Sequence, residues 1–268
     1  QLEIADATLA RLPQLPPPSP SASATPVARD ARPGWPRSPI TTHLKSVALK
    51  QFHISAEVLP QAVAFDARGN ARDEGDVQQL ALDVTRTDEV RGNINVRYTK
   101  RFAADELTLS VDASEAQGGL VAVLAGLPLD IPSSLQIEGT GSAADWRGKL
   151  ALGAKHYVAL RGSLKARWQT RIGAKLSLAL TPGSRLPASA RTAIGEASRL
   201  RLEIEEDAKR RVRIKQATLM GAVMTASATG HLQRDSGFVN LTTSGTINAA
   251  QAKRLRPLIQ PLRLRTAR

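Results

Sequence analysis

The sequence predicts an all-β protein, an elongated and curled antiparallel sheet that forms a groove of the β-taco type. Three observations support this fold class. From residue 40 to residue 248, apolar and polar residues alternate with a period of two, which is the period of a half-buried strand. Gly, Asp and Asn separate the alternating runs, as they do in turns. The same order of strands and one short helix recurs every 65–70 residues or so.

Residues 1–39 are expected to form a short strand around Leu2 to Ile4, followed by a linker. Nine of the 16 prolines lie between Pro13 and Pro39, and proline has no backbone N–H to donate to a β ladder. Such a segment is extended or irregular. A ligand for an SH3-like module is the alternative for this proline-rich run, although nothing else in the sequence indicates signalling.

Four alternating runs define the first part of the repetitive sheet. They are Val63–Ala67, Leu80–Val84, Ile94–Tyr98 and Leu107–Val111. Each run places its apolar side chains on one face of a strand and the intervening residues on the other face. This pattern is typical of an antiparallel meander with one apolar face.

Two segments lack the alternation and are predicted to be short helices, residues 115–126 and residues 186–196. In the second segment, Pro187 stands in the first turn, where a helix tolerates proline. A third candidate helix, residues 249–256, is ended by Pro257. It begins the last predicted segment, 249–268, a short helix and basic tail that enters the next repeat.

The helices reveal the internal repeat. The strands that contain Leu107 and Leu176 precede the first two helices and are 69 positions apart, and Thr243, in the strand before the third helix, follows Leu176 by 67. Gly162 and Gly230 lie in matching strands 68 positions apart. Units of several strands and one helix can stack so that their apolar faces become one continuous surface.

Seventeen apolar residues of the repeat are therefore expected to face one shared concavity. They are Leu107, Leu109, Val111, Leu135, Ile137, Leu150, Leu152, Val158, Leu160, Leu176, Leu178, Leu180, Leu200, Leu202, Ile204, Val212 and Ile214.

The net charge of +13 and the isoelectric point near 10.8 would suit nucleic acid or an anionic membrane surface. Most Lys and Arg residues, however, alternate with apolar residues inside strand-like runs, which is typical of the solvated face of a strand. Only the segment 252–268 is a block of one sign. A basic polyanion-binding module stays open as an alternative.

The sequence resembles a known family, most specifically between residues 113 and 150. The run 113–128 contains Ser-Glu, Gly-Gly-Leu and Gly-Leu-Pro, and the run 135–150 contains a strand, Gly-x-Gly and Asp-Trp-x-Gly-x-Leu. This pattern is similar to the proteobacterial translocation and assembly module family TamB, whose members are AsmA-like bridge-type proteins. Ala116 departs from the family, which often has proline there. The resemblance covers nearly the whole chain but only a minority of a full-length member, and it is most specific around 113–150.

The resemblance implies a protein anchored in the inner membrane, with its long sheet in the periplasm of the cell envelope. It implies phospholipid transport between the two membranes, assembly of outer-membrane proteins including autotransporters, or both. The implied partners are phospholipid or unfolded outer-membrane protein, together with an outer-membrane barrel of the BamA or TamA type that would contact parts of the protein outside this sequence.

The residues themselves offer no catalytic or metal-binding constellation, so no enzymatic activity, cofactor or metal is expected. The chain has no cysteine, and its four histidines are scattered. The acidic pairs at 105–106 and 205–207 are expected at solvated hairpin tips rather than in an acid/base pair. Asp145, Trp146 and Gly148 form a candidate structural motif, in which Trp146 packs at a bend of the sheet.

Three hypotheses of different classes therefore remain at this point. The first is a sheet whose apolar groove handles lipid or protein cargo, and the second is a purely structural repeat that spans the periplasm. The third is the basic polyanion-binding module, which predicts like-charged residues clustered on one surface with aromatic residues between them.

Overall fold

The computed structural model describes residues 2–4, 7–9, 41–56, 62–117, 119–125, 127, 130–169, 171–196, 198–206, 212–232 and 239–247. Fifteen strands form one sheet, and two short helices lie between strands. The predicted fold class is confirmed, because the described chain is an open, curled and mostly antiparallel sheet built from repeats.

The elements follow one another along the chain with short connections. In order they are β1 (Leu2–Ile4), β2 (Ala7–Leu9), β3 (Thr42–Ile54), β4 (Val63–Asp73), β5 (Val77–Arg86), β6 (Gly92–Arg101), β7 (Glu106–Glu115), α1 (Leu120–Ala125), β8 (Ser133–Gly141), β9 (Trp146–Ala154), β10 (Val158–Arg167), β11 (Gly173–Pro182), α2 (Ala188–Ile194), β12 (Ser198–Glu206), β13 (Val212–Met220), β14 (Met224–Leu232) and β15 (Val239–Ile247).

From β3 to β15 each strand pairs with the next one in sequence, and every such pair is antiparallel. The short strands β1 and β2 both pair with β3 in parallel. The strand expected around Leu2 to Ile4 is β1, whereas β2 was not predicted. The linker from 10 to 40 and the candidate helix at 249–256 lie outside the described residues.

The register gives the sheet one apolar face. Val111 pairs with Ile137, Ile137 with Leu150, and Leu150 with Gly162 in β10. Residues directly opposite each other in an antiparallel pair project to the same side. Because every strand alternates, the apolar sets of successive strands lie on one side, here called the apolar face, and the intervening residues form the polar face.

The repeat unit consists of four strands. Helix α1 follows β7, α2 follows β11, and β15 is again four strands later. Both helices lie within the predicted segments, but the first prediction began too early. Glu115 belongs to β7, and α1 begins only at Leu120.

The helices sit at one border of the sheet, here called the helix-bearing edge, where β7 and β11 end and β8 and β12 begin. Helix α2 begins after Pro187 and ends at Gly195, whose φ of 74° is readily adopted only by glycine. Its buried Ala193 packs with Val223 and Met224. The two helices therefore close the ends of strands rather than forming a layer over the sheet.

Candidate functional site

All seventeen predicted groove residues lie on the apolar face. The register brings them together in rows that cross the strands, such as Leu135, Leu152, Leu160 and Leu180. No predicted residue points to the polar face. Their assignment to lipid binding stays a prediction, but their placement on one shared surface is a feature of the structure.

The apolar face is not sealed. Of the seventeen residues, only Leu107 and Leu178 are buried, at 5% and 4% exposed, and the other fifteen are partly exposed. In a β-sandwich the inner face is covered by a second sheet, and large apolar residues there are mostly buried. All described strands belong to a single sheet. The described apolar face is therefore accessible from one side.

Trp146 packs flat against its own sheet. Its side chain is 3% exposed, and a Cβ built on Gly139 would meet its ring atom Cζ2 at 2.3 Å. A Cβ on Gly148 would meet Cη2 at 2.6 Å. The two glycines, direct partners in β8 and β9, thus form the seat of the indole. The structural motif has this packing role, while Asp145 is exposed and pairs with Arg147.

Gly162 marks a close approach of two strands in the middle of the face. A Cβ there would meet the Ser177 carbonyl oxygen at 2.0 Å and the Leu178 Cα at 2.9 Å. No side chain fits without moving the backbone of β11. Leu178, the direct partner of Gly162, is accordingly the most buried of the groove residues.

A buried ion network at the helix-bearing edge was missed by sequence analysis. The Arg86 guanidinium donates to Glu115 Oε1 at 3.0 Å, and it also pairs with Asp88. The Arg86 and Glu115 side chains are 2% and 0% exposed. The backbone N–H of Val121, in the first turn of α1, donates to Glu115 Oε2 at 2.6 Å. The network therefore fastens α1 to the ends of β5 and β7.

Asp88 is held ionised by this network. Burial alone would raise the pKa of its carboxyl group, but the hydrogen bonds and positive charge of Arg86 outweigh that effect. The backbone N–H groups of Ala64 and Val90 add to the lowering. The pKa of Asp88 therefore lies below the usual value for aspartate, and the pKa of Arg86 is raised above its usual value.

At the opposite edge of the sheet the prediction of solvated acidic tips is only partly correct. Asp105 does sit in a turn, where it pairs with Lys100 at 2.5 Å, and this hydrogen bond lowers its pKa. Glu205 pairs with Arg167 and Lys215. Glu206, in contrast, is buried, and its Oε2 accepts the Ile172 N–H at 3.2 Å. At the end of β12, Glu206 thus accepts a backbone hydrogen bond from the connection between β10 and β11. Asp207 lies outside the described residues.

The basic residues that alternate with apolar ones lie on the polar face, as expected, but on part of the sheet they also cluster there. Alternation along each strand sends every second residue to the same face, so basic residues of adjacent strands meet on the polar face. This happens on β9 to β13, where ten basic side chains share that face. They are Arg147, Lys149, Arg161, Lys165, Arg167, Lys175, Arg199, Arg201, Arg213 and Lys215.

Within the part of the chain that the structure describes, no three His, Cys, Asp or Glu side chains converge on a common point. No described helix is long and apolar enough to cross a membrane. The arrangement that stands out is instead the partly exposed apolar face.

Comparisons with known proteins add no neighbour to this description. No protein-family model, no curated protein and no solved structure matches the chain.

Proposed function

We propose that the chain is a non-enzymatic component of a bacterial cell envelope whose apolar face binds the acyl chains of phospholipids and lets them pass along the sheet. The observation that carries the proposal is the continuous, partly exposed apolar face shared by successive strands. No specific reacting group is needed for such a task.

The size of the face favours this use. Thirteen consecutive strands spaced by about 4.8 Å make a surface about 58 Å long, and strands of nine or more residues make it at least about 30 Å wide. Soluble proteins rarely leave contiguous apolar patches larger than a few hundred Å² uncovered, unless the patch binds something. A surface of this extent therefore calls for an apolar ligand.

Acyl chains meet this requirement without any directed contact. Each methylene group removed from water contributes about 0.8 kcal/mol, whichever leucine or valine it touches. The same rows of side chains recur along the sheet, so a chain that shifts by one strand exchanges one set of contacts for an equivalent set. Binding and movement along the face are thus compatible.

The resemblance of 113–150 to the TamB family supports the same proposal. It adds the periplasmic location, anchoring in the inner membrane and an outer-membrane barrel as partner of other parts of the protein. It also supports a second cargo, unfolded outer-membrane protein, whose apolar side chains could use the same face.

Site-specific photo-crosslinking tests the lipid proposal. A benzophenone amino acid is placed at Val96, which is partly exposed on the apolar face, and the chain is irradiated with vesicles of phosphatidylethanolamine and phosphatidylglycerol. The matched control carries the probe at Asn95, the preceding residue, which lies on the polar face opposite Asp83 and Asp112. We expect a phospholipid adduct from Val96 and none from Asn95.

Three results contradict the proposal. Equal labelling from both positions would mean adsorption without use of the apolar face. In a parallel experiment, an outer-membrane protein diluted from urea is offered to the same probe. If Val96 crosslinks to that protein but not to lipid, the cargo would be polypeptide rather than lipid. Absence of both adducts would leave a structural spacer.

A further inference from the structure

The charge of the polar face differs sharply between two regions of the sheet. On β4 to β7 its charges are balanced, with four basic and four acidic residues. The basic ones are Arg68, Arg72, Arg97 and Arg101, and the acidic ones are Asp66, Asp83, Glu106 and Asp112. On β9 to β13 the same face carries the ten basic residues named above and only two acidic residues, Glu203 and Glu205. Positive charge is therefore concentrated on the polar face of β9 to β13, across the boundary between two repeats.

Like charges stand directly opposite each other in this region. Arg147 pairs in register with Lys165, and Lys165 pairs with Lys175. Like charges at opposed positions destabilise an antiparallel pair. The charge of Lys175 is compensated by Glu203, whose Oε2 lies 3.1 Å from Nζ, and the charge of Arg147 is compensated by Asp145. Lys165 forms no ion pair with a described residue, although Asp145 attracts it at longer range, and a bound anion would relieve the remaining repulsion between the cations.

Two serines form the floor between the cations. Lys149, Ser163, Ser177 and Arg201 are successive register partners across β9 to β12, which spans about 14 Å at the usual strand spacing. Arg161 is two residues before Ser163 on the same face, about 7 Å away along the strand. The short hydroxyl side chains leave room between longer basic ones and can donate hydrogen bonds.

The space above the serines is a pair of clefts. One, of about 620 Å³, is lined by Gln136, Glu138, Lys149, Arg161 and Ser163 among others. The second, of about 260 Å³, shares Ser163 and continues to Ser177, Lys165 and Arg201. The two clefts thus join at Ser163. Glu138 is the acidic residue at the outer side of the first cleft, and Glu203 is that of the second.

The basic side chains around the two serines are exposed to solvent and could contact a bound anion. Lys149, Arg161, Lys165 and Arg201 are exposed, and none forms an ion pair or a hydrogen bond with another described side chain. The described polar face of β9 to β13 carries no aromatic side chain, because Trp146 belongs to the apolar face. Stacking of nucleic-acid bases, which needs aromatic platforms, therefore has no support here.

We propose that the polar face of β9 to β12 is an oxyanion-binding site for phosphate groups. Ser163 and Ser177 form its floor, and Lys149, Arg161, Lys165 and Arg201 supply the positive charge. The phosphate belongs either to a phospholipid head group or to a soluble phosphorylated compound. The site is on the side of the sheet opposite the apolar face, so it does not depend on the lipid path proposed above.

A charge-matched pair of double variants tests the site. The site variant is Arg161→Gln with Arg201→Gln, and the control is Arg68→Gln with Arg72→Gln on the balanced repeat. Both lower the net charge by the same amount, and all four side chains are exposed, so circular dichroism is expected to show an unchanged fold. Calorimetric titration with inorganic pyrophosphate at about 150 mM salt, where long-range attraction is screened, measures binding.

We expect the site variant to bind pyrophosphate at least tenfold more weakly, because charge-assisted hydrogen bonds to the anion are lost, and the control to change by less than about twofold. Flotation with vesicles of phosphatidylcholine alone, or with phosphatidylglycerol added, distinguishes the two sources. Loss of the phosphatidylglycerol-dependent part in the site variant assigns the phosphate to a head group. Unchanged flotation with weaker pyrophosphate binding assigns it to a soluble compound.

Several outcomes overturn the proposal. They are equal weakening in both double variants, pyrophosphate binding that survives in the site variant, and a wild-type chain that binds a polynucleotide but not pyrophosphate. Each would mean that net charge alone attracts anions to this protein.

Discussion

Placing a carboxylate on the apolar face at two depths tests whether that face is open. Leu178 and Leu80 are both on this face, but Leu178 is 4% exposed and Leu80 is 37% exposed. The substitutions Leu178→Asp and Leu80→Asp introduce the same group. Only the access to water differs between them.

The structure sets the expected difference in the free energy of unfolding. At Leu178 the substitution removes a buried leucine, worth about 2–3 kcal/mol, and it adds a carboxyl group with no partner, which costs roughly another 2–3 kcal/mol even if it becomes protonated. At Leu80 the carboxylate reaches water, so about 1 kcal/mol of lost apolar contact is the main term. We expect Leu178→Asp to destabilise by about 4–6 kcal/mol and Leu80→Asp by about 1 kcal/mol.

Urea unfolding followed by tryptophan fluorescence measures both values, since Trp146 is buried in β9, two strands from Leu178. Hydrogen exchange of β4 to β6 adds a local measurement near Leu80, because a repeat sheet need not unfold in one step. Leu178→Ala is the control for loss of the leucine alone. If Leu80→Asp destabilised its repeat as strongly as Leu178→Asp destabilises its own, the apolar face would be a closed core, and the lipid path would lose its basis.

The buried ion network and its acid sensitivity yield two further predictions. Arg86→Met is expected to destabilise the chain by about 3–5 kcal/mol, because it leaves Glu115 buried without its cation. The double variant Arg86→Met with Glu115→Leu is expected to recover most of that loss in urea unfolding. A double variant as unstable as the sum of the two single variants would contradict this. The folded-state pKa of Asp88 is lowered, so its contribution to stability is complete above the unfolded value of about 4 and is lost as the pH falls through the folded value. The urea concentration at the unfolding midpoint should therefore decrease as the pH is lowered below about 4, and it should decrease less steeply with pH in Asp88→Asn. Equal pH dependence in the two proteins would refute the assignment.

The sheet and its apolar face are predictable from the sequence because both depend on local pattern. A period of two fixes which residues share a face of each strand, as in Leu107, Leu109 and Val111, and short connections place successive strands side by side. Antiparallel register then brings the faces together. The helices were located for the same reason, since the alternation stops before each of them, although the start of the first was placed too early, at Glu115 in β7.

The sequence could not reveal contacts that depend on which strand ends meet in space. Arg86 and Glu115 are 29 positions apart, in strands that are not adjacent, and each appears as one more charged residue near a turn. The burial of Glu206 could not be predicted either, because it lies in a run of three acidic residues that is typical of an exposed turn. One signal was available, however. Both Arg86 and Glu115 continue the parity of the apolar residues before them, which places their charges on the apolar face and therefore requires a partner.

The basic cluster is a second feature that local pattern does not reveal. Lys149, Arg161 and Lys175 each alternate with apolar residues in their own strand, which is ordinary for a solvated face. Their clustering follows only when the register of β9, β10 and β11 is known.

The parallel docking of β1 and β2 on β3 has a mechanical consequence. Hydrogen bonds of the sheet run from strand to strand, along its long direction, so tension applied in that direction loads them one after another and peels strands from a border. On the side of β3 away from β4, the load is carried only by two strands of three residues each, β1 and β2, and not by one full-length strand. The sheet is therefore expected to yield first at this border under tension, and rupture there would leave the four-strand units from β4 onward intact.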